Sequence, residues 1–238
     1  MNSLSSCESA ALELRGISFF GRRFSEYVRF FSLDPDRLRG RRVLDVAAGP
    51  SSFTAEACAL GIDAVAMDPL YGYRPDALAQ HVAIDYAKMT AQMREKTELF
   101  RFRSFSSLED AEADRRRAAQ RFLQDYAEHF VHGRYRCGAL PELPADDGAF
   151  DIVLCAHLLF VYERMFDFDF HVAACRELMR VSRGDVRIHP LVGLNGKRYA
   201  RLAELCETLA AEGIASEIVD VDYEFFAGTT ETLVLKRS

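Results

Sequence analysis

Val43-Leu44-Asp45-Val46-Ala47-Ala48-Gly49-Pro50-Ser51-Ser52-Phe53 is the stretch that decides how the rest of the chain is read. A short apolar run broken by Gly49-Pro50 has the pattern of a buried parallel strand. Ser51 to Leu60 then reads as a helix, with serines near its start, Phe53, Ala57 and Leu60 on one face, and Gly61 closing it. A strand that feeds a tight turn and then a helix leaves a crevice at the strand's carboxyl end. Small residues there let a ligand approach the backbone closely.

Working outward, strand and helix patterns alternate. Ala64 to Asp68 is a second strand, stopped by Pro69. Phe150 to Cys155 is a third, entered from the turn Asp146-Asp147-Gly148. A helix from about Phe170 to Val181 leads to the strand Asp185 to His189, and a helix over Lys197 to Glu212 follows, its stripe formed by Leu202, Leu205, Cys206 and Leu209. Ser216 to Val221 and Glu231 to Leu235 read as a terminal antiparallel pair, and a weak strand at Arg134 to Gly138 completes seven. The expected fold is therefore α/β: a Rossmann-like, mostly parallel seven-stranded sheet with a terminal antiparallel hairpin and helices on both faces. One domain over residues 1–238 is expected, with two additions. Residues 1–39 read as N-terminal helices carrying Phe19, Phe20, Phe24, Tyr27, Phe30 and Phe31. Residues 71–132 read as a helical cap insertion, with Leu78, Val82, Met89 and Met93 on one helix and Ala118, Phe122, Tyr126 and Phe130 on another.

Composition narrows the class. The 238 residues are 49% hydrophobic and 28% charged, which excludes a disordered or low-complexity chain. A net charge of −6 disfavours general binding to nucleic acid or to an anionic membrane. The six cysteines (7, 58, 137, 155, 175 and 206) form no C-x-x-C pair and sit among apolar neighbours, so reduced thiols are expected and no metal site. Met1 to Ala11 lacks the basic start and apolar core of a signal peptide, and the longest apolar stretch, Ile152 to Tyr162, is too short to span a bilayer. A cytoplasmic protein, monomeric or homodimeric, is the expectation.

The second strand ends in Asp68, nineteen residues after Gly49. A carboxylate there can accept hydrogen bonds from both hydroxyls of a ribose. G-x-G-x-x-G and G-x-x-x-x-G-K-[ST] are both absent, so neither a pyrophosphate cradle nor a P-loop is supported, and the turn suits a nucleoside without phosphates. The turn resembles the first motif of class I S-adenosylmethionine-dependent methyltransferases. The likeness extends over roughly residues 41–235 and takes in Met67-Asp68-Pro69-Leu70, the segment Leu143 to Asp151, and Cys155-Ala156-His157-Leu158-Leu159. These last two look like the small-molecule methyltransferases of the type-11 group.

The resemblance implies S-adenosyl-L-methionine as cofactor and a small-molecule methyl acceptor with an O or N nucleophile. It implies that Asp45 orders the first turn, that Ala47 and Gly49 line the methionine moiety, that Asp68 holds the ribose and that Leu70 packs near adenine. His157 would face the methyl-donor pocket. Ala47 and Ser51 replace two of the motif's three glycines, a change the turn tolerates if its backbone avoids φ > 0. Ala139 stands where the family often has an acid, leaving adenine to backbone groups around Ala139-Leu140. Pro69 and Ser51 complete the expected cofactor set. The altered glycines also motivate an alternative, a catalytically inactive protein that kept the fold for binding or assembly, and a nicotinamide-dependent reductase is a third reading that the missing pyrophosphate turn opposes.

A base is needed only if the nucleophile enters protonated. His157 is the first candidate and His189 the second, with Tyr71 and Tyr162 as orienters. His129 and His132 read as a surface pair at a helix end. From Arg94 to Arg121 there are eight basic and six acidic residues, the run Arg115-Arg116-Arg117 among them, so the segment reads as a salt-laced solvent face rather than a binder of an acidic substrate. Phe166, Phe168 and Phe170 precede a helix that Asp169 is placed to cap.

Overall fold

Seven strands form one sheet in the order β3-β2-β1-β4-β5-β7-β6. The structure, a computed structural model, describes Leu12 and residues 16–238; Cys7 and the first part of the expected N-terminal helices lie outside them. The strands are β1 (Arg42–Val46), β2 (Asp63–Met67), β3 (Tyr135–Arg136), β4 (Phe150–Ala156), β5 (Ser182–His189), β6 (Ile214–Asp220) and β7 (Glu231–Arg237). Strands β1 to β5 run parallel, with Val43 to Val46 opposite Ala64 to Met67 on one side and Ile152 to Cys155 on the other. Strand β7 inserts antiparallel between β5 and β6. This is the mostly parallel sheet with a terminal antiparallel hairpin that the patterning predicts.

Both faces of β1 are buried, and alternation sorts its side chains. Leu44 and Val46 join one core with Val153, Cys155, Val186 and Ile188, covered by α6 (Phe168–Val181) and α7 (Leu202–Ala210). Val43 points the other way, into a core with Ile152 and Leu154 that α1 (Phe24–Phe30) and α3 (Phe53–Ala59) cover through Phe24, Phe30, Phe53 and Ala57. The short helix α2 (Pro35–Leu38) adds Leu38 to that second core. Between β2 and β3 the chain forms α4 (Pro75–Glu95) and α5 (Leu108–His129), which pack on each other over a third cluster that includes Tyr71, Leu78, Tyr86, Phe122 and Tyr126.

Several expectations need correction. Residues 16–23 form no helix, so Phe19 and Phe20 lie on a strap that leads into α1. Leu60 is exposed, because α3 ends at Ala59 and the chain turns at Gly61. The last helix starts at Leu202, where its stripe begins, five residues after the expected start at Lys197, since the chain before it turns back so that Val192 bridges Arg198. Asp167, not Asp169, caps α6, its side chain accepting from the Phe170 N–H at 2.8 Å. Cys137 is exposed, unlike the buried Cys155 and Cys175. Among the described residues no helix is long and apolar enough to cross a membrane.

Phe30 holds the N-terminal segment to the sheet. It is fully buried, stacks on the His189 ring at 4.6 Å and meets Tyr27, Phe31 and Tyr223. Phe30→Ala should lower unfolding free energy by about 3–5 kcal/mol in urea titration, whereas Ile84→Ala, at an exposed position of α4, should change it by no more than about 0.5 kcal/mol.

Candidate active site

The carboxyl ends of β1, β2 and β4 open into one cavity of about 410 Å3, a volume in the range of small-molecule sites. Its floor is the turn after β1. Ala47 and Gly49 both adopt positive φ, +55° and +56°, so the condition under which alanine would sit there without strain is not met. A left-handed alanine costs on the order of 1 kcal/mol, and neighbouring bonds hold the turn regardless. The Gly49 N–H donates to Asp68 Oδ2 at 3.1 Å, and the Tyr71 hydroxyl donates to the Gly49 carbonyl at 2.5 Å. Ser51 Oγ accepts from the Phe53 N–H at the start of α3 and donates to the Arg22 carbonyl.

The same Arg22 carbonyl accepts from the Ser52 N–H at 3.0 Å, so the strap of residues 17–22 is sewn onto the start of α3. Gly21 is required at this crossing, because a Cβ there would fall 2.1 Å from the Pro50 carbonyl group. Farther along, the Ser18 N–H donates to the Tyr162 hydroxyl and the Phe19 N–H to Asp85 on α4. Ile17 to Arg22 thereby form a wall of the cavity.

Asp68 lies on the cavity with both oxygens facing backbone donors, Oδ2 toward Gly49 and Oδ1 toward the Leu70 N–H at 2.9 Å. Each oxygen keeps a second lone pair. Burial raises its pKa to about 6, against the pull of those two N–H groups. Pro69, Leu70, Ala139 and Leu140 line the same end, and Ala47 and Gly49 the middle. Asp45 and Ser51 stand behind the wall. Asp45 accepts from the Tyr27 hydroxyl at 3.3 Å, its Oδ2 has no hydrogen-bond partner among the described residues, and burial pushes its carboxyl well above the usual range.

Of the candidate bases, His157 lines the cavity. It too has positive φ (+54°), and its N–H donates to the His189 carbonyl at 2.6 Å. Its Nδ1 is buried without a hydrogen-bond partner among the described residues, and burial, with Arg22, His189 and Arg115 nearby, drives its pKa well below the ordinary imidazole value. The ring is neutral near pH 7. His189 is not on the wall; it is buried against Phe30, its Nδ1 held by Thr232 Oγ1 at 2.9 Å, and burial lowers its pKa to about 3. Tyr71 is likewise off the wall and serves the turn through its hydroxyl. Packing thus takes His189 from the role of second candidate base and Tyr71 from that of orienter in the cavity. Tyr162 is on the wall and anchors the strap. His129 and His132 sit at the end of α5, ring centres 6.3 Å apart, away from the cavity.

Two residues of the site are not marked as such by the sequence. Arg115, taken for part of a solvent face, is fully buried and lines the cavity, ion-paired with Glu26 and stacked near Phe20, Phe105 and Phe225. Its i+1 and i+2 neighbours do face solvent, so the run of three arginines hid one buried member. Arg22, on the strap, was not singled out at all, and a local pattern carries no signal for it.

No family model matches the chain. The chain is 30% identical over 227 residues to the uncharacterized protein MJ0045 of Methanocaldococcus jannaschii, covering 95% of this chain and 99% of that protein. Similar solved structures include a TehB-like SAM-dependent methyltransferase from Corynebacterium glutamicum, at TM-score 0.47 and 16% identity over 86% of this chain and 87% of that one. The magnesium protoporphyrin IX methyltransferase ChlM of Synechocystis PCC 6803, crystallised with SAM, aligns at TM-score 0.44 and 14% identity over 85% of this chain and 73% of that one.

Ala47→Gly should remove the left-handed penalty and leave stability unchanged or higher by up to about 1 kcal/mol, whereas Ala57→Gly inside α3 should lower it by about 1 kcal/mol. Thermal unfolding of the two variants checks the difference. Gly21→Ala should dislodge the strap, seen as faster hydrogen exchange at residues 17–23 in mass spectrometry.

Proposed function

We propose that this chain, which belongs to the same family as the Methanocaldococcus jannaschii protein MJ0045, is an S-adenosyl-L-methionine-dependent methyltransferase acting on an O or N nucleophile of a small molecule. The observation that carries the reading is the Asp68 carboxylate. It faces the cavity nineteen residues after Gly49, each oxygen occupied once by a backbone donor and free to accept once more. Two vicinal hydroxyls match that pair of free acceptors, and a phosphorylated ribose would meet a like charge.

The residues present fit such a cofactor. Leu70 and Leu140 offer apolar walls for a purine beside Asp68, and the small side chains of Ala47 and Gly49 leave room for the aminoacyl arm. Bound there, the cofactor supplies a methyl group on a sulfonium. The protein contributes alignment and a dry chamber, which the strap and the apolar wall of Met89, Met93, Phe100 and Phe225 provide. His157, neutral and on the wall, is placed to accept the proton of a protonated nucleophile. What favours turnover over mere binding is the chamber beyond the turn, which extends past the cofactor end to Tyr223, Phe226 and Thr229.

Calorimetric titration with S-adenosylhomocysteine tests the reading. Asp68→Ala should weaken binding on the order of 100-fold, since two charge-assisted hydrogen bonds are lost. Affinity for the unsubstituted protein should be flat above pH 7 and fall as pH drops through about 6, where Asp68 protonates and gives up an acceptor. No binding at millimolar ligand, or binding that Asp68→Ala leaves intact, overturns it. Transfer of tritiated methyl from the cofactor into the small-molecule fraction of a cell extract separates an enzyme from an inactive relative.

A further inference from the structure

The two guanidiniums on the cavity are not equally partnered. Arg22 and Arg115 both line it. Arg115 is matched: Glu26 pairs with its Nη1, Asp114 lies 3.9 Å from the same atom, and the Tyr223 hydroxyl reaches its Nη2 at 3.5 Å. Glu26 is then spent. Its Oε1 accepts from the Tyr223 hydroxyl at 2.7 Å, its Oε2, the oxygen paired with Arg115, also accepts from the Arg23 N–H at 3.3 Å, and although burial pushes the carboxyl's pKa up, Arg115 and Arg22 hold it below the usual carboxylate value. Asp114 is shared in turn with Arg23 and Arg117. Arg22 has no carboxylate within 4 Å among the described residues; its Nη1 donates to the Phe20 carbonyl and its buried Nε donates to nothing.

A guanidinium is not deprotonated in a protein, so an enclosed one without a counter-ion is an anion site. Ionised Asp68, on the same cavity, offsets that charge only until a cationic cofactor binds. S-adenosylmethionine brings a sulfonium and an ammonium against one carboxylate, a net positive charge, and ionised Asp68 offsets only that. One uncompensated positive charge, that of Arg22, remains in a chamber of low dielectric.

We infer that the methyl acceptor is a monoanion, a carboxylate on a flat apolar body, with the carboxylate held by the fork of Arg22 and the body against Phe20, Met89, Met93, Phe100 and Phe225. A single negative charge closes the balance, whereas a phosphate dianion exceeds it. The planar guanidinium matches a carboxylate in two parallel hydrogen bonds, and the aromatic and methionine wall takes the ring. Arg22 is thus a specificity-determining residue. Its main-chain carbonyl does the separate work of tying the strap to Ser51 and Ser52, which side-chain substitution leaves in place.

This inference rests on the methyltransferase reading, and the test keeps the two apart. Benzoate, 2-naphthoate and indole-3-acetate, each with its primary amide as neutral control, are titrated into the full chain with and without saturating S-adenosylhomocysteine. The same is done for Arg22→Gln and Arg22→Lys, whose folding is checked by circular dichroism. The expected result is that at least one carboxylate binds about tenfold or more tightly than its amide, and that Arg22→Gln abolishes the preference while Arg22→Lys keeps part of it. Cofactor-product affinity should be the same in all three proteins. If no carboxylate binds at millimolar concentration, or if the amides and Arg22→Gln do as well, the inference fails. A second overturning result is Arg22→Gln weakening S-adenosylhomocysteine but not 5′-methylthioadenosine, which lacks the aminoacyl arm; Arg22 would then hold the cofactor's own carboxylate. Should S-adenosylhomocysteine not bind at all, the methyltransferase reading falls, and the titrations without it still decide whether Arg22 is a carboxylate site.

Discussion

The Asp68 carboxylate joins two loops that the sheet alone would leave apart. Through Gly49 it fixes the turn after β1, and through Leu70 it fixes the turn after β2. A buried carboxylate is costly to desolvate, which is why its pKa climbs to about 6. Two backbone donors reduce that penalty without removing it, and both oxygens retain acceptor capacity toward the cavity. The turn it stabilises is itself strained at Ala47, so the carboxylate, the Tyr71 hydroxyl and the Ser51 hydroxyl together keep a backbone shape that Ala47 disfavours.

Around this anchor the remaining elements act as cover. The strap crosses Pro50 so closely that only Gly21 fits, and hydrogen bonds to Tyr162 and Asp85 tie it to the segment after β4 and to α4. Arg115, Glu26 and Tyr223 lock α5, α1 and the loop before β7 together in one buried network. Such a network is weak evidence for stability, because desolvation of both ions offsets their attraction. Its consequence for the cavity is electrostatic: among the described residues Glu26 and Asp114 serve Arg115, Arg23 and Arg117, and Arg22 is left to meet the ligand.

Apart from the two-residue strand β3, the sheet was legible in the sequence because its strands announce themselves locally. Val43 to Val46, Ala64 to Met67 and Phe150 to Cys155 are apolar runs bounded by turn residues, and the tail shows two strands separated by a polar loop. Asp68 was legible for the same reason, since its distance from Gly49 is a property of one strand-turn-helix-strand unit. What depends on contacts between distant segments was not. Arg22 lies on a strap whose position is set by Ser52 and Tyr162. Arg115 is one helical position away from residues that face solvent, and charge counting over the segment could not separate them. His189 carries the same residue type as His157 at the end of a neighbouring strand, yet Phe30, more than 150 residues away, buries it. The positive φ of Ala47 shows only in the backbone.

The most direct measurement is a crystal structure of the full chain with S-adenosylhomocysteine. Both ribose hydroxyls should donate to the Asp68 carboxylate, with the purine between Leu70 and Leu140 and the sulfur directed toward His157. A nucleoside bound elsewhere, or an Asp68 side chain that stays with Gly49 and Leu70 and touches no ligand hydroxyl, would contradict the account.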